Sequence, residues 1–228
     1  MEKTAPINPA KLWQAAVALA AFTILYNLTE GLLATYFGGE EEALTLFGFG
    51  IDSFIELISG AGIMAMVLRI WRQPGAPRGG FEQSALRVTG FSFYLLAASL
   101  VTGAILSLAV GHQPRPSLAG TIISLVSIAV MWALVLGKRK VGNALASRAI
   151  LADAQCTMVC IWMSVTLLAS SLLYTLTGLA FLDALGSLVL AWFSGREGRE
   201  AFATAAGMED ACACGDSCEP APSHSTAD

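Results

Sequence analysis

The chain has 228 residues, of which 55% are hydrophobic and only 13% are charged, whereas an average soluble domain has about 25% charged residues. Its formal net charge of −4 argues against nucleic-acid binding, which favours a basic surface. Because the apolar residues fall in long runs, the composition excludes a disordered chain, a coiled coil and an ordinary soluble enzyme. We therefore expect an all-α, polytopic membrane protein that is not an enzyme.

Six apolar runs are typical of membrane-spanning helices, which need about 20 residues to cross the hydrocarbon core. In chain order the predicted spans are Leu12–Phe37, Ala43–Ile70, Val88–Val110, Leu118–Leu136, Ala149–Leu176 and Leu179–Phe193. Residues 1–11 are predicted to be a cytoplasmic N-terminus, residues 12–200 the six-helix domain, and residues 201–228 a flexible cytoplasmic tail. With both termini in the cytoplasm, 12 of the 13 basic residues lie inside, as the positive-inside rule favours.

Five acidic residues lie inside the predicted spans, and no Lys or Arg is expected deep within any of them. The acids are Glu30, Asp52, Glu56, Asp153 and Asp183. A carboxylate at the centre of a spanning helix costs about 2.5–3.5 kcal/mol, so five would cost more than about 10 kcal/mol without relief. In the absence of basic partners, that relief must come from protonation, a bound cation or a hydrated cavity. These features indicate a cation or proton pathway, although acids near the membrane interface that hydrogen-bond neighbouring helices are the simpler alternative.

The spacing of the acids and cysteines favours a metal site. Asp52 and Glu56 are four residues apart, so a helix brings them to one face, one turn apart. Cys156 and Cys160 have the same spacing in the fifth span, with Asp153 on the same face. Two carboxylates and two thiolates from facing helices would supply four ligands to a tetrahedral zinc or cadmium ion. Taken alone, the two cysteines are more simply explained as small buried packing residues.

These segments resemble the cation diffusion facilitator family over residues 12–200. Residues 48–57 are similar to the metal-binding second helix of that family, and residues 27–31, 149–160 and 182–187 are similar to its first, fifth and sixth helices. The resemblance implies six spans, a homodimer, and export of a divalent metal from the cytoplasm in exchange for protons. It assigns the transport site to Asp52, Glu56, Cys156 and Cys160, with Asn27, Glu30, Asp153 and Asp183 as secondary candidates.

The chain departs from the family pattern in two ways. The family usually has His and Asp, or two Asp, where this chain has Cys156 and Cys160, and usually has Asp in place of Glu56. The thiols favour Zn²⁺ and Cd²⁺ over manganese or magnesium. The short segment after the sixth span leaves no room for the folded cytoplasmic domain that the family commonly carries, so a dimer is expected to form through the spans.

The predicted tail carries three cysteines, Cys212, Cys214 and Cys218, which we expect to capture a soft metal ion. The sequence as a whole predicts a Zn²⁺ or Cd²⁺ exporter without a cofactor, located in a bacterial inner membrane. Its expected partners are the metal, protons, the lipid bilayer and a second copy of the chain. Two alternatives remain: a non-transporting metal sensor or scaffold, and a membrane thiol redox protein, although the latter commonly uses C-x-x-C.

Overall fold

The computed structural model describes residues 9–40, 44–72, 78–110, 118–177 and 181–214, and every regular element in these ranges is an α-helix. The helices are α1 (Pro9–Glu40), α2 (Leu44–Arg72), α3 (Arg78–Val110), α4 (Leu118–Leu145), α5 (Arg148–Thr177) and α6 (Phe181–Cys214). The all-α prediction is confirmed for this part of the chain. The number and order of the helices also match the six predicted apolar runs.

Five helices, α1 to α5, are long and apolar enough to cross a membrane, with mean hydropathies between 1.5 and 2.3. They confirm five of the six predicted spans. The sixth helix differs because its first half is apolar whereas its second half carries Arg196, Glu197, Arg199 and Glu200. It also continues beyond Phe193, where the sixth span was predicted to end, to Cys214. The helix therefore enters the segment for which the composition predicts a flexible tail.

Helices that follow one another in the chain run antiparallel, as expected for an up-and-down bundle, and so do α2 and α5. Along α2 and α5, Glu56 is hydrogen-bonded to Thr157, and Ser59, one turn later, to Asp153. The backbones of α3 and α6 approach closely at a pair of glycines. A Cβ atom at Gly198 would lie only 3.2 Å from the carbonyl oxygen of Gly90, so the absence of side chains permits this contact.

The second helix packs against α1, α3 and α5, and the fifth packs against α2, α3, α4 and α6. One apolar cluster, which includes Trp13, fills the end of the bundle at the C-terminus of α2, and a second, which includes Phe49, fills the opposite end. Buried polar residues lie between the two. Large apolar side chains cover much of the exterior, and Trp132 and Trp162 are 53% and 56% exposed. An apolar exterior around a polar interior layer suits a lipid environment.

The fourth helix is longer than the sequence predicts, because it ends at Leu145 and not at Leu136. Its C-terminus is closed by a Schellman motif, in which the Ser147 N–H donates to the Gly142 carbonyl at 2.9 Å. Ala146 takes the left-handed conformation that this motif requires, with φ of 51°. The extension places Lys138 about two turns inside α4.

Candidate functional site: a buried polar layer between α2, α4 and α5

The prediction that no basic residue lies within a span is wrong. Lys138 is only 2% exposed, and its Nζ lies 2.8 Å from Asp153 Oδ2 and 3.9 Å from Glu56 Oε1. Sequence reasoning assigned this lysine to the loop after the fourth span, since charges that follow an apolar run usually mark its end. Ion pairing therefore does relieve part of the desolvation cost of two acids, contrary to the expectation that no base is available.

Hydroxyl groups link the lysine to both carboxylates. The Lys138 ammonium donates a hydrogen bond to Thr157 Oγ1 at 2.7 Å, and the Thr157 hydroxyl donates to Glu56 Oε1. Asp153 Oδ1 accepts a further hydrogen bond from the Ser59 hydroxyl at 2.7 Å. Within the described ranges, Glu56 Oε2 is buried and has no hydrogen-bond partner. The Glu56 carboxylate also interacts with the Cys160 thiol.

Asp52 lies one turn from Glu56, toward the N-terminus of α2, and has separate partners. Its carboxylate accepts a hydrogen bond from the Ser99 hydroxyl of α3 at 2.7 Å and is 4% exposed. Asp52 also lines a cavity of about 70 Å³ among α2, α3, α5 and α6, together with Ser107 and Thr166. Since one water molecule needs about 10–15 Å³ of such volume, the cavity has room for several.

Both cysteines of α5 are buried free thiols, at 0% exposure for Cys156 and 4% for Cys160. The contacts between α2 and α5 set their register, which places Asp52 level with Cys160, one turn beyond the pairing of Glu56 with Thr157. Glu56 and Asp52 are electrostatic neighbours of both thiols. The structure therefore brings the four predicted ligands into one buried layer.

The side chains in this layer are not arranged around a common point. In the part of the chain that the structure describes, no group of three or more His, Cys, Asp or Glu side chains has a geometry that could hold a metal ion. Asp52 is directed to Ser99 on α3, whereas Glu56 is directed to Thr157 on α5. Binding of one ion by all four predicted ligands would require these two carboxylates to leave their present partners.

The first helix adds two of the secondary candidates to the edge of this layer. Glu30 is 4% exposed and accepts hydrogen bonds from the Tyr26 hydroxyl at 3.0 Å and the Ser53 hydroxyl at 3.1 Å. Asn27 is fully buried, and neither polar atom of its amide has a hydrogen-bond partner among the described residues. Leaving a buried polar group unpaired costs about 1–3 kcal/mol.

The remaining candidates are less well placed. Asp183 lies in α6, and Cys212 and Cys214 lie at its end, but their side chains are outside the described part of the structure. Cys218 lies outside the described residues altogether. Metal capture by these cysteines therefore stays a prediction.

Sequence reasoning missed Lys138, Thr157, Ser59 and Ser99 as members of the layer. Two of them carried a usable signal. Thr157 follows Asp153 by four residues, and Ser59 follows Glu56 by three, so helical periodicity places each on the same face as its neighbouring acid. Ser99 and Lys138 are on other helices and were not accessible to this reasoning.

No family model matches this chain, and no curated protein matches it.

Proposed function

We propose that this chain is a membrane transporter of divalent heavy-metal cations, which moves Zn²⁺ or Cd²⁺ out of the cytoplasm in exchange for protons. The observation that carries the proposal is the meeting of two carboxyl groups from α2 with two free thiols from α5 in one buried layer. The spans also resemble those of the cation diffusion facilitator family, which extends the proposal to a homodimer in a bacterial inner membrane.

The ligand chemistry supports a soft divalent substrate. Thiolates favour zinc and cadmium, whereas magnesium and manganese prefer sites made of oxygen atoms alone. Asp52, Glu56, Cys156 and Cys160 together provide two oxygen and two sulfur ligands, which suits tetrahedral coordination. Because a thiol binds metal as its thiolate, binding releases protons, and protonation of the same ligands releases the metal. Proton exchange follows from this chemistry.

The cavity next to Asp52 suggests the exit route. It lies toward the N-terminus of α2, which the distribution of basic residues places on the outer side of the membrane. Metal released from the layer would reach this hydrated cavity first. In the proposed cycle, the ion therefore enters from the cytoplasmic end, binds between α2 and α5, and leaves past Asp52.

A membrane thiol oxidoreductase is less well supported. Reactive thiols are partly exposed and have positive neighbours that stabilise the thiolate. Cys156 and Cys160 are buried, and the carboxylates of Asp52 and Glu56 are among their electrostatic neighbours. Although Lys138 is a positive neighbour of Cys156, the burial of both thiols and their carboxylate neighbours do not match this pattern.

Transport by purified protein in proteoliposomes tests the proposal. We expect the wild type to take up Zn²⁺ or Cd²⁺, and D52N and the double variant C156S/C160S to lose at least tenfold in initial rate. The matched control C212S/C214S/C218S removes the same chemical group from the tail and is expected to keep most of the activity. Gel filtration verifies that each variant is folded.

Each outcome of this assay has a distinct meaning. A wild type that moves neither metal would overturn the proposal and favour a non-transporting sensor. A C156S/C160S protein that transports at the wild-type rate would remove the thiols from the ligand set. Rates that do not respond to an imposed pH gradient would remove proton exchange.

A further inference from the structure

The buried ammonium of Lys138 has no role in the proposed ligand set, although it touches part of that set. We propose that Lys138 is an internal cation that competes with the transported metal for the carboxylates. This inference rests on the proposed function, since it concerns the same layer. In this role, Lys138 sets the affinity of the layer for the metal and controls the release of the metal.

The contacts place the ammonium where it opposes a bound metal. Its Nζ lies 2.8 Å from Asp153 and 3.9 Å from Glu56, and Thr157 bridges it to the same Glu56 oxygen. Cys156 is a further electrostatic neighbour. A divalent ion held by Glu56 and Cys156 would therefore lie within a few ångströms of a fixed positive charge in a medium of low dielectric constant. The two cations repel each other, so metal binding and the present position of Lys138 oppose each other.

The two cavities that touch the carboxylates of the layer differ in size, and a third cavity of about 360 Å³ lies between α3, α5 and α6 at the N-terminal end of α5. At the Lys138 end, the cavity lined by Lys138, Asp153, Ala20 and Ile63 measures about 10 Å³, which is at the lower limit for one water molecule. At the Asp52 end the cavity measures about 70 Å³. An ion that approaches through the cavity at Lys138 must therefore displace the lysine. When the lysine returns to its carboxylates, it blocks that route and repels the metal.

A purely structural ion pair between α4 and α5 would have other consequences. Removing a structural pair weakens the fold and lowers metal binding and transport together. Removing a competing cation raises the affinity for the metal but lowers the turnover rate, because the metal binds more tightly and leaves more slowly. Metal affinity and turnover therefore have to be measured on the same variants.

The experiment compares K138M, K138R and the charge-balanced double variant K138M/D153N with the wild type. All proteins carry C212S/C214S/C218S, so that only the thiols of Cys156 and Cys160 contribute to the cadmium signal. Cadmium binding is followed by the ultraviolet thiolate-to-cadmium charge-transfer band, and turnover by cadmium uptake into proteoliposomes. C156S/C160S is the blank, and gel filtration with thermal unfolding verifies folding.

We expect K138M to bind Cd²⁺ at least tenfold more tightly than the wild type while its turnover falls at least fivefold. K138R keeps the charge and should stay within about threefold of the wild-type affinity. The double variant leaves no unpaired charge at Asp153, so it remains informative if K138M does not fold, and it too should bind more tightly than the wild type.

Two results overturn the inference in different ways. If the folded lysine variants bind Cd²⁺ as the wild type does, or more weakly, Lys138 does not compete with metal, and the proposed function is unaffected. If the wild type shows neither the charge-transfer band nor uptake, the proposed function fails, and the inference about Lys138 fails with it.

Discussion

Thr157 hydrogen-bonds to both of the helices that α5 meets in the polar layer, α4 and α2. Its hydroxyl accepts a hydrogen bond from Lys138 and donates one to Glu56, so one side chain contacts two buried ionisable groups. We expect T157V, which keeps the shape but removes the hydroxyl, to lower the free energy of unfolding by about 1–3 kcal/mol, because it leaves a buried carboxylate oxygen without its donor. Unfolding in mixed detergent micelles, monitored by circular dichroism, measures the change.

The conservative variant T157S is the matched control, since it keeps the hydroxyl and removes only a methyl group. It should retain most of the stability that T157V loses. Equal losses in both variants would show that the methyl group and its packing, and not the hydrogen bonds, hold the three helices together.

The side chain of Asn27, unlike that of Thr157, forms no hydrogen bond to the residues that the structure describes. Its amide is buried without a hydrogen-bond partner among the described residues, whereas Glu30, one turn away, accepts two hydrogen bonds. The contacts of Gly31 with Phe54 and of Gly60 with Thr23 set the register of α1 on α2, and this register places Asn27 level with Glu56. The two unsatisfied groups, the Asn27 amide and Glu56 Oε2, therefore lie at the same height in the bundle.

Among the helices, the corner between α4 and α5 determines where Lys138 and Asp153 meet. The corner depends on Ala146, whose φ of 51° lies in the left-handed region that favours glycine. We expect A146G to raise the free energy of unfolding by up to about 1 kcal/mol, because it removes the clash between Cβ and the following carbonyl. A146V should lower it, since a β-branched side chain tolerates this conformation least.

The same micelle unfolding assay distinguishes these variants. Because Ala146 touches neither the carboxylates nor the thiols of the layer, A146G should leave metal affinity unchanged. A destabilised A146G would show that the flexibility of glycine in the unfolded chain outweighs the relief of strain at the corner.

Sequence patterns predicted the helices well and the polar layer only in part. Long apolar runs identify α1 to α5 because a spanning helix must satisfy its own backbone and bury no polar groups in lipid. The four-residue spacing of Asp52 with Glu56 and of Cys156 with Cys160 correctly places each pair on a single face. Lys138 was missed because its burial depends on where α4 ends, and Ser99 because its partner is fixed by the register of α3 on α2. Contacts between helices leave no periodic signal in one chain.

At the scale of the whole molecule, the two ends of the polar layer are built differently. The Lys138 ion pair and an apolar cluster lie at one end, whereas the cavity beside Asp52 lies at the other. A further cavity of about 360 Å³, lined by Arg148, Gln155 and Glu197 among others, lies between α3, α5 and α6 on the side of the Lys138 end.

This asymmetry makes a prediction about chemical access that does not depend on transport. Ser107 lines the larger cavity and Ala20 the smaller one, and both are buried, at 8% and 2% exposure. In protein without the tail cysteines, we expect S107C to react with a small charged thiol reagent at least tenfold faster than A20C, because the larger cavity has room for several water molecules and the smaller for at most about one. Site-resolved mass spectrometry in detergent, where both ends are reachable, measures the two rates. Equal rates would mean that reagent reaches both cavities equally often. If K138M selectively raises the reaction rate at A20C, the lysine is what restricts access to the smaller cavity.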